Sequence, residues 1–112
     1  MKTLLAILPA LFLAQAFAGD PPAAQPMTHR YLIERTFPAG ALDGLDATAK
    51  SKINATNAQF GVRWVSSYAT ADKTRTFCIY EAPNEAAVRS AAKANNIPVD
   101  SVTEVPVTLL PN

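Results

Sequence analysis

Two hydrophobic periodicities alternate along this chain, and their order limits the available folds more than any other feature. Residues 30–37 (RYLIERTF) are rich in aromatic and branched side chains and run into Pro38-Ala39-Gly40, which reads as a first strand closed by a turn. The period then lengthens. Leu42, Leu45, Ala49, Ile53, Thr56 and Phe60 recur at steps of three and four, the spacing of one helical face, while Asp46, Lys50, Asn54 and Asn57 turn outward. Asp43 is the expected N-cap and Gly61 the expected residue just past the helix end, where a left-handed backbone suits glycine.

The short period returns at residues 62–69 (VRWVSSYA) and 74–81. The connection Thr70-Ala71-Asp72-Lys73 is so short that the two strands must form an antiparallel hairpin. With a two-residue tip, Trp64, Ser66 and Tyr68 share a face with Phe77 and Ile79, and Val65 and Ser67 share the other with Thr76, Cys78 and Tyr80. A one-residue slip would exchange the two sets. Pro83 and Asn84 open a second helix, whose buried side is Ala87, Val88, Ala91 and Ala92. Asn95-Asn96 suits a left-handed end, and Pro98 stops the element. Residues 102–110 form a fourth strand, placed at an edge because Pro106 cannot donate a ladder hydrogen bond.

The order β-α-β-β-α-β is the α+β, ferredoxin-like pattern, a four-stranded antiparallel sheet with two helices on one face. Apolar residues occupy both parities of the strands: Tyr31 and Ile33 against Leu32, Phe77 and Ile79 against Cys78 and Tyr80. Helices cover only one side, so the other needs a partner. The expectation is a homodimer through the sheet face, of the dimeric α+β barrel type.

The domain so defined occupies residues 29–112, because the chain opens on an address. Lys2, the apolar run at 4–13 and Ala16-Phe17-Ala18 make residues 1–18 a signal peptide with cleavage expected after Ala18. The apolar run is about half the ~20 residues a bilayer core requires. The mature chain is therefore expected in the periplasm or the medium, off the membrane. Residues 19–28 read as a proline-rich linker. Loss of Lys2 leaves nine basic against nine acidic side chains, a balance that excludes a basic nucleic-acid binder. Cys78 is the only cysteine, so no intramolecular disulfide staples the fold, and its place within a strand points to a buried, inert thiol.

Chemistry is sparse. The chain has no phosphate-binding glycine loop, no Cys-x-x-Cys and no nucleophile-elbow serine, and no residue is assigned a catalytic role. His29 is the sole histidine, which excludes a triad or a multi-histidine metal site within one chain. It stands either as a metal candidate or general base, or as an exposed residue at the domain edge. Glu34, Glu81 and Glu104 lie in or beside three strands, and Arg35 and Arg63 in two. Charges in a covered sheet need partners. One reading is a polar pocket with Glu34 or Glu81 as base and Arg63 as anion anchor; the other is outward pairing at sheet edges. Trp64, Tyr68 and Tyr80 suit an aromatic-lined cleft or equally a core or dimer interface. Glu34, Arg63, Trp64, Tyr68, Cys78, Tyr80 and Glu81 are thus the ligand-binding candidates.

Several blocks, in order, resemble the bacterial domain-of-unknown-function family 4242, also described as nickel-responsive-protein-like. They are Tyr31-Leu32-Ile33-Glu34-Arg35-Thr36-Phe37-Pro38, Trp64-Val65-Ser66-Ser67-Tyr68, the strand Thr76-Phe77-Cys78-Ile79-Tyr80 with the following Glu81-Ala82-Pro83-Asn84-Glu85, and Ile97-Pro98 with Val102-Thr103-Glu104-Val105. The resemblance implies a ferredoxin-like fold, a dimer, and nickel or another divalent metal in at least some members. Where the nickel-binding members carry histidines, this chain reads Lys50-Ser51-Lys52-Ile53, Arg63 and Ala91-Ala92. Nickel favours imidazole ligands, so the resemblance carries over fold and dimer but no metal ligand. The expected function is a non-catalytic ligand- or metal-binding module. The alternatives are a cofactor-independent small oxygenase or isomerase of the dimeric α+β barrel type, or a purely structural dimer.

Overall fold

A computed structural model describes residues 28–112. The expected signal peptide and all but the end of the linker lie outside the described residues. The elements follow the expected order: β1 (His29–Thr36), α1 (Ala47–Gln59), β2 (Arg63–Ala69), β3 (Arg75–Ala82), α2 (Glu85–Ala94) and β4 (Ser101–Glu104). They form one four-stranded sheet in the order β2-β3-β1-β4, antiparallel at every pairing. This is the α+β ferredoxin-like architecture. No helix among the described residues is long and apolar enough to cross a membrane.

Alternation sorts the two sheet faces. β1 pairs with β3 from His29↔Ala82 to Thr36↔Arg75, which puts Tyr31, Ile33 and Arg35 beside Tyr80, Cys78 and Thr76 on the helix-covered face. All six are buried. Leu32, Glu34, Phe77 and Ile79 fall on the open face and are only half-buried.

The first helix starts later than its periodicity suggests. Asp43 is not the N-cap. Residues Ala41–Gly44 form a short 3-10 turn entered through Gly40 at φ 82°, and Leu45 leaves helical geometry before α1 begins. Asp46 caps instead, its Oδ1 accepting from the Ala49 amide at 2.9 Å. Gly44 is the physical reason: glycine disfavours continuous helix, whereas an aspartate with extended backbone satisfies an orphan amide. The other end is as expected. Gly61 takes φ 71°, and the Val62 and Gly61 amides donate to Asn57 and Ala58 carbonyls, a Schellman motif. Asn96, at φ 58°, closes α2 in the same way.

Two side chains depart from their expected orientation. Asn57, expected outside, is 2% exposed, because the C-terminal end of α1 meets that of α2. There Asn95 Nδ2 donates to Asn57 Oδ1 at 3.0 Å. Trp64 changes face because a β-bulge interrupts β2 between Trp64 and Ser66. Val65 is the extra residue, so Trp64 sits opposite Tyr80 while Ser66 and Tyr68 remain opposite Ile79 and Phe77. β4 lies at the sheet edge and is shorter than expected, pairing only over Ser101–Glu104. The Val105 amide makes one further bond to the Arg30 carbonyl, and Pro106 then offers no donor.

The core sits mainly beneath α2. Val88 and Ala91 join Ile33, Cys78, Tyr80 and Ala82 in one buried cluster. Full burial of an Ile33 or a Val88 side chain contributes about 1.5–3 kcal/mol. α1 behaves differently: Asn57 is its only buried residue, and Leu42, Leu45, Ala49 and Ile53 stay half-exposed. The expected apolar face of this helical segment exists, but it looks onto space rather than onto packed side chains.

Candidate functional site

That space is a cavity of about 660 Å³, partly open to solvent, between the sheet and the segment that leads into α1. Leu42, Leu45, Ala49 and Ile53 form one wall, and Arg35, Thr76, Cys78, Tyr80 and Trp64 form the facing one. Lys50 and Ile97 also line it. Volumes of this order hold small organic ligands.

Arg35 belongs to the cavity for a simple reason. It stands two residues after Ile33, which stands two after Tyr31, so the strand period turns all three toward the helices. The residue is 3% exposed. Its Nη1 donates to the Pro98 carbonyl at 2.8 Å, and its guanidinium carbon lies 5.5 Å from the centroid of the Tyr80 ring. It joins none of the ion pairs among the described residues. Burial pushes the Tyr80 phenol above its ordinary pKa, and the Arg35 charge opposes that rise. Tyr80 in turn stacks on Trp64, with ring centroids 6.5 Å apart and planes 24° from parallel. Trp64 Nε1 donates to Ser67 Oγ at 2.8 Å, which holds the indole in place. The Cys78 thiol is buried and donates to Thr76 Oγ1 at 3.5 Å.

The seven ligand-binding candidates divide between the two faces. Trp64, Cys78 and Tyr80 meet in the cavity. Glu34, Arg63, Tyr68 and Glu81 do not; the pairing places them on the open face. There Arg63 Nη2 and Nε donate to Glu81 Oε1 at 2.8 and 3.1 Å. Arg75 Nη2 donates to Glu34 Oε1 at 3.2 Å while its guanidinium covers the Phe77 ring at 5.1 Å. Tyr68 is 66% exposed. The polar pocket of Glu34, Glu81 and Arg63 is thus replaced by two separate surface ion pairs, each satisfied by a neighbour on the next strand. His29 is likewise engaged, its Nδ1 lying 2.7 Å from Glu104 Oε2. Among the described residues no three His, Cys, Asp or Glu side chains converge on a point that could hold a metal ion.

The sequence reading named Arg63 as the anchor, whereas the arginine that lines the cavity is Arg35. The signal for its burial was present in the sequence: Arg35 shares the parity of Tyr31 and Ile33, so a charge there is buried if those two are. Thr76 follows from the same argument on β3.

These features define a small ferredoxin-like α+β domain whose first helical segment arches over a cavity. The chain belongs to a family of that kind: residues 31–105 match the family described as nickel responsive protein SCO4226-like. The crystal structure of SCO4226 from Streptomyces coelicolor A3(2) is similar to this chain with a TM-score of 0.61 at 18% identity, covering 71% of this chain and 99% of that one. At that identity the likeness establishes the fold. No curated protein matches the sequence.

Proposed function

We propose that this chain is an exported, homodimeric, non-catalytic module that holds a small ligand in the cavity between α1 and the sheet. The observation that carries the reading is the cavity itself, about 660 Å³ and walled largely by apolar side chains. A recess of this volume with apolar walls and a few polar side chains is the usual form of a small-ligand site. The enzyme alternative draws on the same cavity and has less behind it. Among the described residues the lining offers no carboxylate and no imidazole to serve as a base at neutral pH, and Tyr80 is held in its protonated form.

Nickel, which the family description names, does not fit the side chains of a single chain. His29 with Glu104 supplies two donors at the domain edge, and nickel sites call for more imidazole than that. Equilibrium dialysis at micromolar nickel should find no stoichiometric binding; one ion per chain, lost on His29→Ala, would reverse this reading.

The cavity reading is tested with N-phenyl-1-naphthylamine, a neutral fluorophore that brightens in apolar sites. The protein should take up the dye, and Ala49→Trp, which fills the cavity from its helical wall, should weaken uptake by about tenfold, the cost of excluding an apolar ring. Uptake unchanged by Ala49→Trp would place the dye elsewhere and remove the proposal.

A further inference from the structure

The cavity carries charge of one sign. Arg35 and Lys50 are its ionisable cationic lining residues, and no aspartate or glutamate lines it among the described residues. Lys50 is exposed and reaches water. Arg35 is 3% exposed and has no carboxylate partner among the described residues. A buried guanidinium holds five donors in a fixed fork, and the bond to the Pro98 carbonyl, the approach to the Tyr80 hydroxyl and one aromatic face leave part of that capacity unused. Burying an uncompensated charge is costly. Elsewhere in this domain Arg63, Arg75 and Arg89 each have a glutamate partner, although all three are exposed and need one less.

We infer that the ligand is an amphipathic organic anion, its single carboxylate-like head paired with Arg35 and its apolar body lying between Trp64 and the wall formed by Leu42, Leu45 and Ile53. This rests on the cavity reading above and specifies the chemistry of its occupant. The head replaces the missing counter-charge beside the buried guanidinium, where the local dielectric is low and a charge-assisted pair is strong. Thr76, which lines the same wall, carries a hydroxyl able to supply a further hydrogen bond.

The test compares two dyes with the same aromatic body. 1-Anilinonaphthalene-8-sulfonate carries an anionic head, and N-phenyl-1-naphthylamine does not. The sulfonate should bind with one site per chain and about tenfold or more tighter than the neutral dye, as expected for one hydrogen-bonded ion pair. Arg35→Met should abolish that preference, and Arg35→Lys should retain part of it, with circular dichroism and a thermal melt reporting folding. Decanoate and 1-naphthoate then compete for the site against decanol and 1-naphthalenemethanol. Displacement by either carboxylate but not by its alcohol supports the inference, and the more effective acid tells a chain-like body from a ring-like one.

Equal affinity for the two dyes in the wild-type protein overturns the anion inference and leaves the cavity standing. Failure of both dyes to bind overturns both. If Arg35→Met does not fold, the comparison of dyes and of acids with alcohols on the wild-type protein still decides.

Discussion

Single residues carry this domain's conformational exceptions. At the tip of the β2–β3 hairpin, Asp72 Oδ1 accepts from the hydroxyls of Thr70 and Thr74 at 2.7 and 2.8 Å and from the Thr74 amide. The next residue, Lys73, is left at φ 59°, where a Cβ crowds the following carbonyl. Its side chain gains little in return: Nζ lies 4.0 Å from Asp43 Oδ1, with both partners exposed, and such pairs contribute close to nothing. Lys73→Gly should therefore stabilise the protein by about 0.5–1 kcal/mol, the relieved strain less the added chain entropy, seen as a higher melting temperature. A lower one would show that the Lys73 side chain matters. The buried Asn57 and Arg35 are exceptions of another kind. Both are polar residues inside, and sequence reading separates them: parity along β1 flags Arg35, whereas nothing in a helical period tells Asn57 that α2 will arrive beside it.

At the scale of elements, the ends are better specified than the faces. Asn84 caps α2 by accepting from the Ala87 amide at 2.8 Å, as its place after Pro83 suggests, and the same chemistry recurs at Asp46. Asn84→Ala should cost about 1 kcal/mol in urea denaturation, and Asn84→Asp far less, because only the acceptor oxygen is needed. Equal losses for the two would mean that the amide nitrogen contributes. Capping is local, which is why the sequence discloses Asn84, although at α1 it offers two aspartates, and Asp46 caps in place of the expected Asp43. The bulge at Val65 is not local. Residues 62–69 (VRWVSSYA) break their alternation at Trp64-Val65, but only the pairing of β2 with β3 identifies Val65 as the extra residue. It turns Trp64 onto the helix face, against Tyr80, and so builds one wall of the cavity.

For the whole molecule, the open sheet face is the unfinished surface. Leu32, Phe77 and Ile79 lie there half-buried, flanked by the Glu34–Arg75 and Arg63–Glu81 pairs. An apolar strip rimmed by charges suits a second copy of the chain. Light scattering should return twice the mass of the mature chain, and Ile79→Asp, at the middle of the strip, should return a monomer that keeps its circular dichroism. A monomeric wild-type protein would contradict the dimer.

What the sequence determined by itself was the order of elements, the start of α2 and the C-terminal ends of both helices, the edge position of the last strand and the sharing of apolar residues between two strand faces. Each follows from interactions within a few residues or from a period. Tertiary structure decided the orientation of Trp64 and Asn57 and which charged residues meet. Only pairing across strands could assign Glu34 to Arg75 and Arg63 to Glu81, and only the packing of two helices of unequal burial could leave space beside Arg35. A cavity is a property of what surrounds it, and its walls here come from residues as far apart in the chain as Arg35 and Ile97.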